Sequence, residues 1–218
     1  MIAVRAKFLL AIPVLALTLA GCAKKGELVV DSGVGVTALR TLCPTVGVPD
    51  YTGDVTLFSD PARTDMGALD MTAALTNVRS QCSESADKVY TAASFDVLAR
   101  RSDVRGARHV DLPYFVTVLR GGSAVVTKRL GTVGIDFADG QDRAHGTGQA
   151  AAYVDRAEAT LPEDIRKKLT RKRKAGDETA AVDPLTEPDV RAALARASFE
   201  LLVGFQLDDK QLAYNATR

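Results

Sequence analysis

Three runs of two-residue alternation, Val89 to Val97, Val110 to Val118 and Val125 to Phe137, constrain this chain more than anything else in it. In an extended strand successive side chains point to opposite faces, so alternating apolar residues make a ribbon with one dry and one wet side. Val89, Thr91, Ala93, Phe95 and Val97 alternate with Tyr90, Ala92, Ser94 and Asp96, and Val110, Leu112, Tyr114, Val116 and Val118 repeat the pattern. Val125, Thr127, Val133, Ile135 and Phe137 resume it beyond Gly121-Gly122-Ser123. Two such runs around a Gly-Gly turn predict a β-hairpin.

Further strands are expected at Asp54 to Phe58, at Leu69 to Cys82, and at Arg143 to Val154 after the turn Ala138-Asp139-Gly140. The last carries small inward residues, Ala144, Gly146, Gly148, Ala150 and Ala152, which leave room for bulky neighbours from a facing sheet. Pro113 has no N–H to give to a ladder, which suggests an edge or a bulge at that point. Alternation stops near Asp155. Thr160 with Glu163 three residues on, and Pro162 between them, has the form of a capping box opening a helix whose apolar seam is Leu161, Ile165 and Leu169. A second short helix through Val190, Leu194 and Ala197 leads into a closing strand through Phe199, Leu201, Val203, Phe205 and Leu207.

Strands at short spacing with hairpin turns predict a mainly β fold, an antiparallel β-sandwich with a helical insertion at about 156–197 before the last strand. An immunoglobulin-like or fibronectin-III-like arrangement is the first expectation, a small open barrel or an α+β sheet the alternative. Trp is absent and aromatics are sparse, so the core is expected to be mostly Val, Leu and Ala.

The N-terminus carries a different message. Arg5 and Lys7 precede an apolar run from Phe8 to Leu19, and small residues precede Cys22. The run is shorter than the roughly 20 residues that cross a bilayer, and Pro13 interrupts it, so the layout is that of an export signal. Leu19-Ala20-Gly21-Cys22 resembles the lipobox of the bacterial lipoprotein signal class. The resemblance implies cleavage after residue 21, acylation of Cys22, and attachment to membrane through that lipid, several chains holding durably where one does not. Ala23 after the cysteine, in place of aspartate, points to the outer membrane, facing the periplasm. Residues 22–35 then form the lipidated end and a tether, with Leu28 to Val30 a first strand, and 36–218 form the β domain. The segment Thr170 to Asp177 and the ending Phe199 to Leu207 are also similar to a group of alphaproteobacterial lipoproteins, a likeness that implies no activity.

With Cys22 given to lipid, Cys43 and Cys82 remain in an oxidising compartment, where an even pair most simply forms a disulfide. Two buried thiols or a redox pair are the competing readings, and no Cys-x-x-Cys spacing supports the second. Loss of Arg5 and Lys7 with the signal leaves 26 of 28 Lys and Arg against 27 Asp and Glu, a balance without the signature of a nucleic-acid binder.

No motif commits the chain to catalysis. His109 and His145 sit at strand positions with no Cys or acidic partner at metal-ligand spacing, and no nucleophile elbow, phosphate loop or dinucleotide fingerprint occurs. Neither a metal nor a cofactor is implied. One local feature stands out: Arg166, Lys167, Lys168, Arg171, Lys172, Arg173 and Lys174 place seven basic residues in nine. Such a block attracts anionic head groups or an acidic envelope protein, or else is a solvated face balanced by Glu158, Glu163, Asp164, Asp177 and Glu178. The sequence thus points to an envelope lipoprotein acting as a structural or interaction module. A carrier for a small or lipidic ligand is the alternative, and a hydrolase the third reading.

Overall fold

The structure is a computed structural model and describes residues 41–171 and 182–218. Cys22, the tether, the expected strand at Leu28 to Val30, and Lys172, Arg173 and Lys174 lie outside the described residues. Eight strands are described: β1 (Thr45–Gly47), β2 (Asp54–Phe58), β3 (Leu69–Glu84), β4 (Lys88–Arg101), β5 (Arg108–Arg120), β6 (Ala124–Phe137), β7 (Arg143–Asp155) and β8 (Phe199–Phe205). Helices α1 (Arg156–Ala159), α2 (Glu163–Thr170) and α3 (Pro188–Ala197) fall between β7 and β8, as an insertion before the last strand. A C-terminal helix, α4 (Asp209–Thr217), follows.

The strands form two four-stranded sheets, ordered β1-β8-β5-β6 and β2-β3-β4-β7. All pairings are antiparallel except β1 with β8. The inward residues of both sheets meet in a sandwich core. Val55, Met71, Ala73, Phe95, Val97 and Ala99 from one face Leu112, Tyr114, Val133, Ile135, Phe137, Val203 and Phe205 from the other. A second cluster joins Ala93, Ala150, Ala152 and Val154 to Val118, Phe199 and Leu201 at the opposite end. Val and Ala are the most numerous core residues among those described, as expected, but of the expected leucines only Leu112 and Leu201 are buried, and Phe95, Phe137 and Phe205 are among the largest fully buried side chains.

The expected turns form where the chain can bend. Gly121 and Gly122 both take positive φ, +63° and +78°, which glycine alone adopts freely, and they close the β5–β6 hairpin. Pro113 lies in a central strand, not at an edge. Its carbonyl accepts from Gln206 N–H, just past the end of β8, so its missing N–H falls where the neighbouring ladder has already ended. The capping box expected at Thr160 is not made: Thr160 Oγ1 donates back to Arg156 O at 2.6 Å, and Pro162 precedes α2 without a side-chain cap. A complete capping box occurs instead at Asp208 and Gln211, opening α4.

Three devices bind the layers. Arg108 of β5 makes a bidentate pair with Asp70 of β3, at 2.6 and 2.7 Å, and the Arg108 guanidinium holds the Asp70 carboxyl below its usual range. Asn215 of α4 donates to Tyr51 O and Asp54 O, both at 2.8 Å, while Tyr214 meets Phe58 edge-on, so the helix covers the outer edge of β2.

Arg101 is the third. Its side chain is buried, its Nε donates to Gln141 O, its Nη2 donates to Val104 O and Ala138 O, and its guanidinium lies 5.1 Å from the centre of the Phe137 ring. One planar fork thereby ties the β4–β5 loop to the β6–β7 turn. Arg101→Met keeps the apolar stem and leaves three carbonyls without their donor, so it is expected to cost about 2–3 kcal/mol in urea unfolding. A loss under about 0.5 kcal/mol would mean that water replaces the guanidinium at no cost.

Candidate functional site

The helical insertion carries the basic block, and its geometry follows from a small core of its own. Ile165 of α2 packs with Val190 and Ala193 of α3, supported by Leu161, Leu169 and Leu194. The seam read from the sequence is therefore what faces α3, and the charges of α2 are turned outward. Pro188 at the start of α3 suits a first helical turn, where an N–H would have no partner anyway.

Three of the four described basic residues of the block have carboxylate partners. Arg166 grips Glu163 through Nε and Nη2, both at 2.7 Å, and Lys167 lies 3.8 Å from the same carboxyl. Lys168 reaches across to Asp189 at 2.7 Å and Glu187 at 2.8 Å, ahead of and within the first turn of α3. Asp189 first, then Glu187, raises the Lys168 ammonium well above the usual lysine range, and Lys168 in turn lowers Asp189. Arg171, exposed at the end of α2, has no ion pair among the described residues. The basic block thus divides into a compensated half, of which Lys168 ties α2 to α3, and a half beginning at Arg171 that continues beyond the described residues.

Cys43 and Cys82 are joined in a disulfide with Cα atoms 6.1 Å apart, inside the range a bridge requires. It ties the segment before β1 to the outer half of β3, where from Arg79 onward every residue is exposed.

One constellation was not anticipated. His109 of β5 has Nδ1 2.6 Å from Asp136 Oδ1 of β6 and Nε2 3.2 Å from Asp111 Oδ1. His109 and Asp136 are directly opposite across the β5–β6 ladder, and Asp111, two residues on, shares the face of His109. Both nitrogens can donate only when the ring is protonated, and the two carboxylates, Asp136 foremost, raise the imidazole above its ordinary value. The folded chain therefore holds this proton more tightly than the unfolded one. The associated stability is full below about pH 6.5, the unfolded value, and is lost as pH rises through the higher folded value. His109→Gln is expected to flatten that slope in unfolding experiments across pH 6 to 8. A slope unchanged by the substitution would show that another group carries it.

His145 stands exposed on β7, opposite Leu98. Among the described residues, no group of three His, Cys, Asp or Glu side chains is disposed to hold a metal ion, and no helix is long and apolar enough to cross a membrane. Two surface depressions are open to solvent. One lies under the start of the insertion, between Asp87, Asp155, Arg156 and Leu161, and the other between Thr72, Leu98, Arg100, Arg143 and Arg218. In the second each arginine has a carboxylate neighbour, Asp142 for Arg100 and Arg143, Asp54 for Arg218.

Between the sheets the space is occupied by rings. Phe95 meets Tyr114 edge-on with centroids 5.1 Å apart, and Tyr114 Oη donates to Gln149 O of β7 at 2.7 Å. Gly148 and Gly131 make room for them: a Cβ at Gly148 would lie 2.1 Å from Phe95 Cζ, and one at Gly131 would lie 2.5 Å from Tyr114 Cζ. The small residues of β7 thus admit a ring from the adjacent strand at Gly148, and at Gly146 admit Val133 and Ile135 from the facing sheet. No protein family, curated protein or solved structure matches the chain.

Proposed function

We propose that this chain is a cell-envelope lipoprotein, anchored through Cys22 at the periplasmic face of the outer membrane, whose β-sandwich serves as a structural or interaction module. The observation that carries this reading is the filled interior. A carrier needs a cavity between its sheets, and here Phe95, Tyr114, Phe137 and Phe205 occupy that space, with glycines cut away to admit two of them. A module that works by contact needs only a stable body, a surface and proximity, and a lipid tether supplies high local concentration at the membrane.

The surface in this proposal is the basic block of the insertion, with an anionic head group or an acidic envelope protein as partner. Its division supports a sharper expectation than the sequence alone. Arg166, Lys167 and Lys168 have carboxylate partners within the insertion and Arg171 has none among the described residues, so the proposal assigns the attraction to Arg171 and to Lys172, Arg173 and Lys174, which follow it in sequence. Basic residues near an anionic bilayer each contribute about 1 kcal/mol. Replacing these four with Gln is expected to weaken binding to vesicles containing anionic lipid at least tenfold, with the fold intact and with binding sensitive to salt. Lys168→Gln should instead loosen α2 against α3 and leave vesicle binding within about twofold. Binding that is unchanged in the fourfold variant and indifferent to salt would refute the electrostatic part of the proposal.

A further inference from the structure

We propose that the edge of β6 is the docking site of a segment of the chain's own N-terminal stretch, Glu27-Leu28-Val29-Val30-Asp31, which adds to the sheet as a further strand. It requires no acylation of Cys22.

The site is half of one strand. Among the described residues β6 pairs with β5 on one side only, and β7 lies against its second half, where Gly146 comes so close that a Cβ there would meet Val133 Cγ1, Gly134 O and Ile135 Cδ1. The first half has no such cover among the described residues. Every residue from Ala124 to Leu130 is exposed, including Val125 at 64 %, Val126 at 55 % and Leu130 at 66 %. A bare edge presenting unpaired backbone groups beside large apolar side chains is a template for another strand. Of the other three edge strands, α4 covers β2, β1 is only three residues long, and β7 has its first half laid against β6 at Gly146. The register skip at Val126 ends the regular edge, so the pairing zone is Thr127 to Leu130.

Charge selects the occupant. Lys128 and Arg129 make no ion pair among the described residues, and Lys128 Nζ rests 5.3 Å from the centre of the Phe115 ring. The zone therefore fits a short apolar strand with carboxylates at its ends. Glu27-Leu28-Val29-Val30-Asp31 has that composition. Alternate residues of a strand share a face, so Glu27, Val29 and Asp31 can lie on the face of Arg129, with Leu28 and Val30 on that of Lys128 and Leu130; Arg129 then meets the carboxylates directly, and Lys128 adds to the positive field of the zone.

Reach is ample. The roughly 13 residues between Asp31 and Thr45 span ~43 Å when extended, whereas the sheet from β1 to β6 is only three strand spacings, about 14 Å, across. The chain also enters the fold at the right end. Leu42 packs against the cluster containing Val118, whose ladder partner on β6 is Thr127.

Hydrogen exchange on the full chain tests this, with Val29→Pro to remove a strand N–H and Glu27→Lys with Asp31→Lys to reverse the charge. The outward amides of Thr127 to Leu130 are expected to exchange at least tenfold faster in either variant, with the β5–β8 amides unchanged as a control on folding. Adding Lys128→Glu and Arg129→Glu to the charge-reversed chain should restore protection. Equal exchange in wild type and Val29→Pro overturns the proposal. Protection that survives Val29→Pro and falls on dilution also overturns it, and assigns the edge to a second copy of the chain. Failure of the fourfold charge exchange to restore protection overturns the charge-matched pairing.

Discussion

Breaking the Cys43–Cys82 bond is expected to lower the stability of the fold by about 4 kcal/mol, the loop-closure value for a bridge across about 40 residues. At an m value near 2.5 kcal/mol/M this is a fall of roughly 1.5 M in the urea midpoint. Cys43→Ser with Cys82→Ser, or reduction of the native chain, should give the same shift. The loss should be felt first at β1. That strand is three residues long and is held by three parallel pairings to β8, against thirteen residue pairs joining β4 to β7. Its approach to the sheet is fixed by the bridge, and Leu42 and Val46 on either side of it pack against the second core cluster. Hydrogen exchange should therefore show β1 released before β2, β3 and β4 open. A midpoint shift under about 0.3 M would mean that those elements confine the loop without the bridge.

Gly148→Val is expected to cost about 3 kcal/mol or more, because nothing around the site can yield. The new Cβ would lie 2.1, 2.4 and 2.9 Å from three carbons of the Phe95 ring. That ring is buried and braced by Tyr114, which is itself held by its hydrogen bond to Gln149 O and seated over Gly131. For a domain of this size the loss corresponds to a fall in Tm of about 6–12 °C by thermal denaturation. The pair should be strongly coupled: Gly148→Ala combined with Phe95→Leu should cost clearly less than the sum of the two single changes. Additive costs would show that Phe95 moves aside freely.

Local pattern made the body of this fold legible and left its pairing dark. β4 to β7 stand close to where alternation places them, since each buries one face against the other sheet over at least part of its length and that burial imposes the period of two. Nothing in the alternation of Phe199 to Phe205 says that this strand inserts between β1 and β5, because register across a sheet is decided by partners far away in sequence. β1 is too short to carry a pattern. α4 was readable in principle, since Asp208 and Gln211 stand at capping-box spacing, but the apolar alternation through Leu207 masked its start. At Thr160 the same motif misled, because the hydroxyl found Arg156 O, one turn back, before it could find an N–H ahead.

The candidate site divides in the same way. The seam of α2 was visible, whereas the neutralisation of Lys168 was not, since Glu187 and Asp189 reach it only once α3 folds back. His109 and Asp111 were two residues apart on one strand and so bound to share a face. Asp136 became a neighbour only through the hairpin register. Arg101 reads in sequence as one of a charged pair at a strand end and gives no sign that three carbonyls from two loops converge on it.

The bridge also sets the route by which tension would travel. A pull on the chain upstream of Cys43 does not peel β1 away from β8, because the load crosses at once to Cys82 on the long β3–β4 ribbon. The 39-residue separation between the two cysteines is bypassed while the bond stands, so β1 and β2 bear no tension from that end. With the bond intact, the short strand that follows Cys43 is thus sheltered from such a pull, and a single covalent link decides whether load arriving at Cys43 passes into a three-residue strand or into a long β-ribbon.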